Sequence, residues 1–117
     1  ALMGAILGAL GEGDIGRHFP DSDDTYRGIS SMLLLSRVMR PASERGFRIV
    51  NADVTIVAQR PKLAPYLEEM RLNIAEALDV APDCANVKAT TTERMGYEGR
   101  EEGISAQAAG LLAKGSV

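Results

Sequence analysis

The 117-residue sequence contains no tryptophan, one cysteine and one histidine, and only 4% of it is aromatic. Each scarcity removes a class of function. Few aromatic rings leave little on which exposed bases could stack, and a net charge of −3 supplies no positive field for nucleic acid. A lone cysteine, Cys84, closes no internal disulfide and builds no cysteine-rich zinc cage, so a reducing, cytoplasmic setting is expected. His18 by itself cannot make a zinc site, and a solvated loop histidine is the expected role. Long apolar runs are missing too. The longest, Ala1 to Leu10, is broken by Gly4 and Gly8, is too short to span a bilayer, and has no basic residues ahead of it as a signal peptide would. Neither a membrane nor a nucleic acid is expected as partner.

What is present is an ordinary globular balance, 45% apolar and 25% charged, in a length that makes one domain with a modest core. Ala1 to Leu10 reads as the end of an apolar helix stopped by Gly11 to Gly13. It starts with neither initiator methionine nor cap, so residues are expected to precede Ala1 and the domain 1–117 to be amino-terminally incomplete. Residues 13–24 form a loop rich in Gly, Asp and Pro. A helix follows from about Ser30 to Arg45, with a kink or early end expected at Pro41. Phe47 to Gln59 reads as a strand, Val54 and Ile56 alternating with Asp53 and Thr55. Pro61 opens a helix on which Leu63, Leu67, Met70, Ile74 and Leu78 recur at helical spacing. After a turn at Val80 to Ala85 comes the strand Asn86 to Thr91. The tail from Gly103 to Ala113 fits either a helix or a strand. Alternating helices and strands predict an α/β or α+β layer.

Three polar junctions carry possible chemistry. In the first, Asp14, Asp21, Asp23 and Asp24 could hold a metal or sugar hydroxyls, or could make Asx-turns and helix caps. The second, Ala58-Gln-Arg-Pro-Lys-Leu63, passes from a strand into a helix. Pro61 in a first helical turn is ordinary structure, yet outward amides beside the Lys62 charge would also receive a diphosphate. The third sets Thr90, Thr91 and Thr92 before Glu93 and a Gly-rich turn that ends at Arg100. Hydroxyl and amide donors beside a carboxylate suit a phosphate whose charge is shared with a metal. Thr90-x-x-Glu93 also fits a capping box, and threonine suits a strand.

Taken in order, Gly-Asp-Ile-Gly with Phe-Pro-Asp-Ser-Asp, then Asp-Val-Thr-Ile-Val-Ala-Gln-Arg-Pro-Lys, then Asn-Val-Lys-Ala-Thr-Thr-Thr-Glu and Gly-Tyr-Glu-Gly-Arg-Glu-Glu-Gly-Ile, the chain resembles the 2-C-methyl-D-erythritol 2,4-cyclodiphosphate synthase family along its whole length. The resemblance implies an α+β two-layer sandwich whose mixed sheet packs around a threefold axis, helices outward, in a homotrimer with active sites between neighbouring subunits. It implies the ring-closing lyase of the non-mevalonate isoprenoid pathway: the 2-phosphate of 4-diphosphocytidyl-2-C-methyl-D-erythritol 2-phosphate attacks the β-phosphorus and CMP leaves. Catalysis would rest on holding two phosphates in line and neutralising their charge.

Residue by residue, the resemblance implies that Asp14, Ile15 and Gly16 contact the methylerythritol and its phosphate, beside a loop with Phe19, Asp21 and Asp23. Ala58, Lys62, Leu63 and Ala64 match the cytidine pocket. Thr90 and Thr91 match phosphate-binding threonines, with Thr92 beside them and Thr91 in the catalytic, transition-state-stabilising position. Glu93 matches the ligand of a magnesium or manganese ion. Tyr97 stands where the family often has Phe, and Arg100 and Glu102 face the channel and substrate. Gly4 occupies a position where relatives often carry Asp. The family's zinc site and a phosphate-positioning histidine use residues that this sequence does not contain. The zinc ligands are therefore expected before Ala1, and the 117 residues alone are expected to be inactive. The rival readings are a non-catalytic module that binds a cytidine nucleotide and a structural trimer that holds an apolar, isoprenoid-like ligand in its channel.

Overall fold

A helix with a single apolar stripe needs a surface on which to bury it, and three helices of this chain share one sheet. The computed structural model describes residues 1–20 and 30–115. Helix α1 (Leu2–Leu10) buries Leu2, Ile6, Leu7 and Leu10, which fall on one face at helical spacing. Gly11 stops it in the left-handed conformation, and the Gly11 and Glu12 N–H groups return to the carbonyls of Gly8 and Leu7. A short turn of helix, α2 (Ile15–His18), follows. Helix α3 (Ser31–Glu44) starts at Ser30, whose hydroxyl accepts the Met32 N–H, and buries Leu35, Val38 and Ala42. After strand β1 (Phe47–Val57) and a 3₁₀ turn at Ala64–Tyr66, helix α4 (Leu67–Leu78) buries Ala75 and Leu78. The chain ends with strand β2 (Ala85–Thr90), a second short helix α5 (Gly96–Gly99) and strand β3 (Ser105–Lys114).

The sheet has the order β2-β1-β3. β1 and β2 run parallel, paired from Ala52↔Ala85 to Val57↔Thr90, while β3 runs antiparallel to β1 from Lys114↔Phe47 to Ser105↔Val57. Helix α1 lies on β3, α3 on β1 and α4 on β2, all on one face, so the expected two-layer α+β architecture with a mixed sheet is what forms. Ile6, Leu7 and Val38 are completely enclosed between the layers. Each side chain of this size, moved out of water, stabilises the fold by about 1.5–3 kcal/mol.

A register shift between Ile49 and Asn51 decides which β1 residues meet the helices. Before it Ile49 points inward; after it Ala52 and Val54 do. One extra residue reverses the alternation, as a β-bulge must. The opposite face carries Asn51, Asp53 and Thr55 of β1, Asn86 and Lys88 of β2, and Gln107, Ala109 and Leu111 of β3. None of the described helices covers it, and Leu111 is 56% exposed.

Four local expectations need correction. The strand expected to reach Gln59 ends at Val57. The helix expected to open at Pro61 begins only after the Ala64–Tyr66 turn, so no helix amides are gathered at Lys62. The early end expected as the alternative to a kink at Pro41 does not occur: α3 runs to Glu44, because a proline in the last turn removes one N–H bond while burial of Ala42 holds the turn on the core. The loop expected across residues 13–24 contains α2, started by the Asp14 side chain. The tail resolves into a strand: β3 completes the ladder along nearly all of β1, a pairing that Ala-rich composition could not reveal.

Candidate functional site

Parallel strands send their chains out at the same edge, and ligands bind beyond the carboxyl ends of such strands. β1 and β2 end together at Val57 and Thr90, and the Ala58 N–H still donates to the Thr90 carbonyl at 3.0 Å. Two of the three sequence junctions, Ala58–Leu63 and Thr90–Glu93, therefore emerge side by side. In the first, Ala58 is buried, Leu63 is half-buried, and Lys62 and Ala64 are exposed. Lys62 carries its charge in irregular chain just before Leu63, the cap of the Ala64–Tyr66 turn, and several residues ahead of α4.

The second loop is a hydrogen-bonded turn. The Thr90 hydroxyl donates to the Thr91 carbonyl at 3.2 Å, the Thr91 hydroxyl accepts the Glu93 N–H at 3.3 Å, and the Thr92 hydroxyl donates to the Met95 carbonyl. Glu93 and Arg94 both take left-handed backbone angles, φ 54° and 67°. Each costs about 1 kcal/mol or more in a residue with a Cβ. The capping box drops out: no helix starts here, and Thr90 makes no bond to Glu93. Thr90, Thr91 and Glu93 are exposed.

Two contacts from outside the Thr90–Met95 segment also hold this strained turn. The Arg94 N–H donates to the Gln59 side-chain oxygen at 3.2 Å, tying the turn to the first loop. Behind it lies Gly99, buried, where an added Cβ would sit 2.2 Å from the Arg94 carbonyl carbon. Only glycine fits so close an approach. Beyond α5, the Tyr97 ring covers Gly103, and the Ser105 hydroxyl donates to the Glu98 carboxylate at 2.8 Å. The Arg100 guanidinium is engaged by Glu102 through two bonds, at 3.0 and 3.3 Å.

The remaining junction lies elsewhere. Asp14 accepts the Arg17 N–H at 3.0 Å and so starts α2, with Ile15 half-buried and Gly16 exposed. Phe19 packs against the core, and His18 and Phe19 lie beside Arg37, Val38, Arg40 and Pro41 in the second half of α3. His18 is not a solvated loop residue: its Nε2 is 2.7 Å from the Glu12 carbonyl, half-buried. Arg45 fixes the end of α1 near the start of β1, donating to the Leu10 carbonyl at 2.6 Å and to Glu12 at 3.0 Å. Eleven residues of strand, roughly 35 Å, separate that end of β1 from Val57. One chain therefore does not bring the Asp14 turn to the Thr90–Glu93 turn. Asp21, Asp23 and Asp24 lie outside the described residues.

The sequence reading missed Gln59, which had no signal beyond its place after the strand, and the Gly99 approach, which the glycines at 96, 99 and 103 hinted at. It also missed a cluster on the open sheet face, where Lys88 and Asn86 both donate to the Asp53 carboxylate. The Lys88 bond and then the Asn86 bond hold the Asp53 carboxyl below its ordinary 3.8.

Among the described residues no group of three or more His, Cys, Asp or Glu side chains could hold a metal. A zinc ion needs three or four such ligands, so the described residues do not fit one. A magnesium-class ion is commonly held by one or two carboxylates together with substrate phosphates, and Glu93 with its neighbouring hydroxyls fits that donor set. No helix among the described residues is long and apolar enough to cross a membrane.

Residues 1–113 match the profile of the YgbB family. The 2-C-methyl-D-erythritol 2,4-cyclodiphosphate synthase of Syntrophotalea carbinolica is 61% identical over 114 residues, covering 97% of this chain and 70% of that protein. The bifunctional IspDF of Campylobacter jejuni superposes with a TM-score of 0.91 at 42% identity, over 97% of this chain and 31% of its own. The IspF of Plasmodium falciparum in its CDP complex superposes at 0.85 with 28% identity, over 99% of this chain and 69% of its own.

Proposed function

The chain belongs to the YgbB family, and from that premise we propose that it catalyses, as a lyase of isoprenoid biosynthesis, the cyclisation of 4-diphosphocytidyl-2-C-methyl-D-erythritol 2-phosphate to 2-C-methyl-D-erythritol 2,4-cyclodiphosphate. The observation that carries the proposal is the shared exit of β1 and β2, which sets the Ala58–Ala64 loop beside the Thr90–Glu93 turn. A nucleoside joined to a diphosphate needs such a pair: a partly apolar recess for the base and a polar turn for the phosphates.

In the reaction an oxygen of the 2-phosphate forms a bond to the β-phosphorus, and the bond from that phosphorus to the oxygen of the CMP phosphate breaks. CMP leaves with the electron pair, and no protein nucleophile is required. Ala58, Leu63 and Ala64 line the cytidine, and Lys62 adds positive charge near its phosphates. Thr90, Thr91 and Thr92 offer hydroxyls and amides to the diphosphate, with Thr91 stabilising the charge that develops on the phosphoryl oxygens. A magnesium or manganese ion on Glu93 would, when bound, neutralise part of that charge. Tyr97 and Arg100 flank the turn.

The Asp14, Ile15, Gly16 and Phe19 segment serves the methylerythritol end of a substrate held at a neighbouring subunit. The distance between the two ends of β1 supports this division of labour, since within one chain the two segments lie toward opposite ends of that strand. The uncovered sheet face, which carries the exposed Leu111 among polar and small side chains, supports assembly as a homotrimer about a threefold axis. Zinc ligands lie outside the described residues in this reading, and no step is assigned to zinc.

The test is incubation of the protein, in its full natural chain, with the cytidylyl substrate and magnesium or manganese, following CMP by chromatography and the cyclic diphosphate by phosphorus NMR. Equimolar release of both is expected. CMP binding without turnover would instead identify a nucleotide-binding module.

A further inference from the structure

The Ala58–Leu63 loop and the Thr90–Glu93 turn follow different strands, yet one side chain joins them directly. Gln59, half-buried, presents its side-chain oxygen to the Arg94 N–H at 3.2 Å. The amide it receives belongs to the second of two consecutive left-handed residues, the first being Glu93. A turn in that conformation persists only when its surroundings over-determine it. The other ties seen here are local: the Thr91 hydroxyl to Glu93, the Thr92 hydroxyl to Met95, and the steric backing of Gly99. Arg60 also reaches across, to Glu101 at 3.3 Å, but both side chains are largely in solvent, where such pairs constrain little. Gln59 alone bonds the strained backbone itself from the neighbouring loop, among the described residues.

We propose that Gln59 is a positioning residue that fixes the Glu93 carboxylate relative to the nucleotide-binding loop. Its side-chain oxygen holds the Arg94 amide, which keeps Glu93 left-handed and its carboxylate aimed where the diphosphate is bound. The loop that senses the base and the turn that carries the acid thereby move as one unit. Gln59 touches no reacting atom and acts only through Arg94 and Glu93. This inference rests on the cyclodiphosphate reading for its kinetic consequences, and on geometry alone for its structural one.

Two variants separate the possibilities. Gln59→Leu keeps the shape and removes the acceptor, while Gln59→Glu keeps an acceptor oxygen at the same place. Amide hydrogen exchange followed by NMR, without substrate or metal, reads the structural step. The Arg94 amide should exchange about fivefold faster in Gln59→Leu, as expected for loss of one hydrogen bond, and should recover in Gln59→Glu. Turnover reads the functional step: kcat of Gln59→Leu should fall about tenfold or more for a displaced catalytic geometry. The manganese concentration for half-activation should rise, CMP affinity should hold, and Gln59→Glu should restore kcat. Unchanged Arg94 exchange in Gln59→Leu overturns the proposal, as does lost protection with wild-type kcat and metal response. If the wild-type protein itself fails to release CMP, the cyclodiphosphate reading fails, and the exchange data still decide whether Gln59 holds the turn.

Discussion

Replacing Gly99 with alanine puts a methyl group where the Arg94 backbone already lies. The new Cβ would sit 2.2 Å from the Arg94 carbonyl carbon, 2.6 Å from its Cα and 2.7 Å from its oxygen. The closest of these is inside ordinary carbon–carbon contact by roughly 1.5 Å, and backbone cannot swing aside as a side-chain tip can. Either α5 or the Glu93–Arg94 turn must move. Overpacking of this kind costs about 1–3 kcal/mol, and on a domain of this length each kcal/mol lowers Tm by roughly 4 °C. A displacement of about 1 Å at the acid-bearing turn should lower kcat on the order of 100-fold. CMP affinity, which the proposed reading assigns to the Ala58–Ala64 loop, should stay near wild type. The control is Gly8→Ala on the exposed face of α1, where nothing lies within 4 Å. There alanine removes the helix cost of glycine and should raise stability by about 0.5–1 kcal/mol. Thermal unfolding and CMP-release kinetics on both variants check the reasoning. A Gly99→Ala protein with wild-type Tm and kcat would refute it, and one that is destabilised but fully active would show that the turn does not position the acid.

The Asp53 carboxyl is depressed by Lys88 and Asn86, so its stabilising contribution is complete above its ordinary 3.8 and is lost as pH falls through its lower folded value. Asp53→Asn should therefore flatten the acid limb of the stability curve below about pH 4, as acid denaturation monitored by circular dichroism would show. Lys62→Ala removes the charge beside the nucleotide loop and should weaken CMP binding about 10- to 100-fold, the loss typical of a charge-assisted contact; calorimetry showing unchanged affinity would remove Lys62 from the site.

Much of this protein was legible residue by residue because periodicity reports burial directly. Leu2, Ile6, Leu7 and Leu10 announce one helical face, and Val54 between Asp53 and Thr55 announces a strand with one side inward. The Gly-Asp-Ile-Gly, Gln-Arg-Pro-Lys and Thr-Thr-Thr-Glu segments in order pointed to the family that the comparisons identify. Boundaries were less legible. Pro61 looks like a helix start in one dimension, but α4 begins where Leu67 and Met70 first reach the core, after the Ala64–Tyr66 turn. The tail strand was hidden because alanine is compatible with either state, and only the ladder along β1 selected one.

The sequence by itself determined the class of the fold, the extent of its apolar faces and the membership of the family. These depend on local spacing and on residue order, which a chain carries wherever it goes. Tertiary structure alone decided that the Lys62 and Thr90 segments leave the sheet side by side while the Asp14 turn stays near its far end. It alone put Glu93 and Arg94 into left-handed backbone, with Gln59 in front and Gly99 behind. Those relations join residues 35 positions apart or face to face across a turn, and they exist only once the strands have paired and the helices have closed over one face of the sheet.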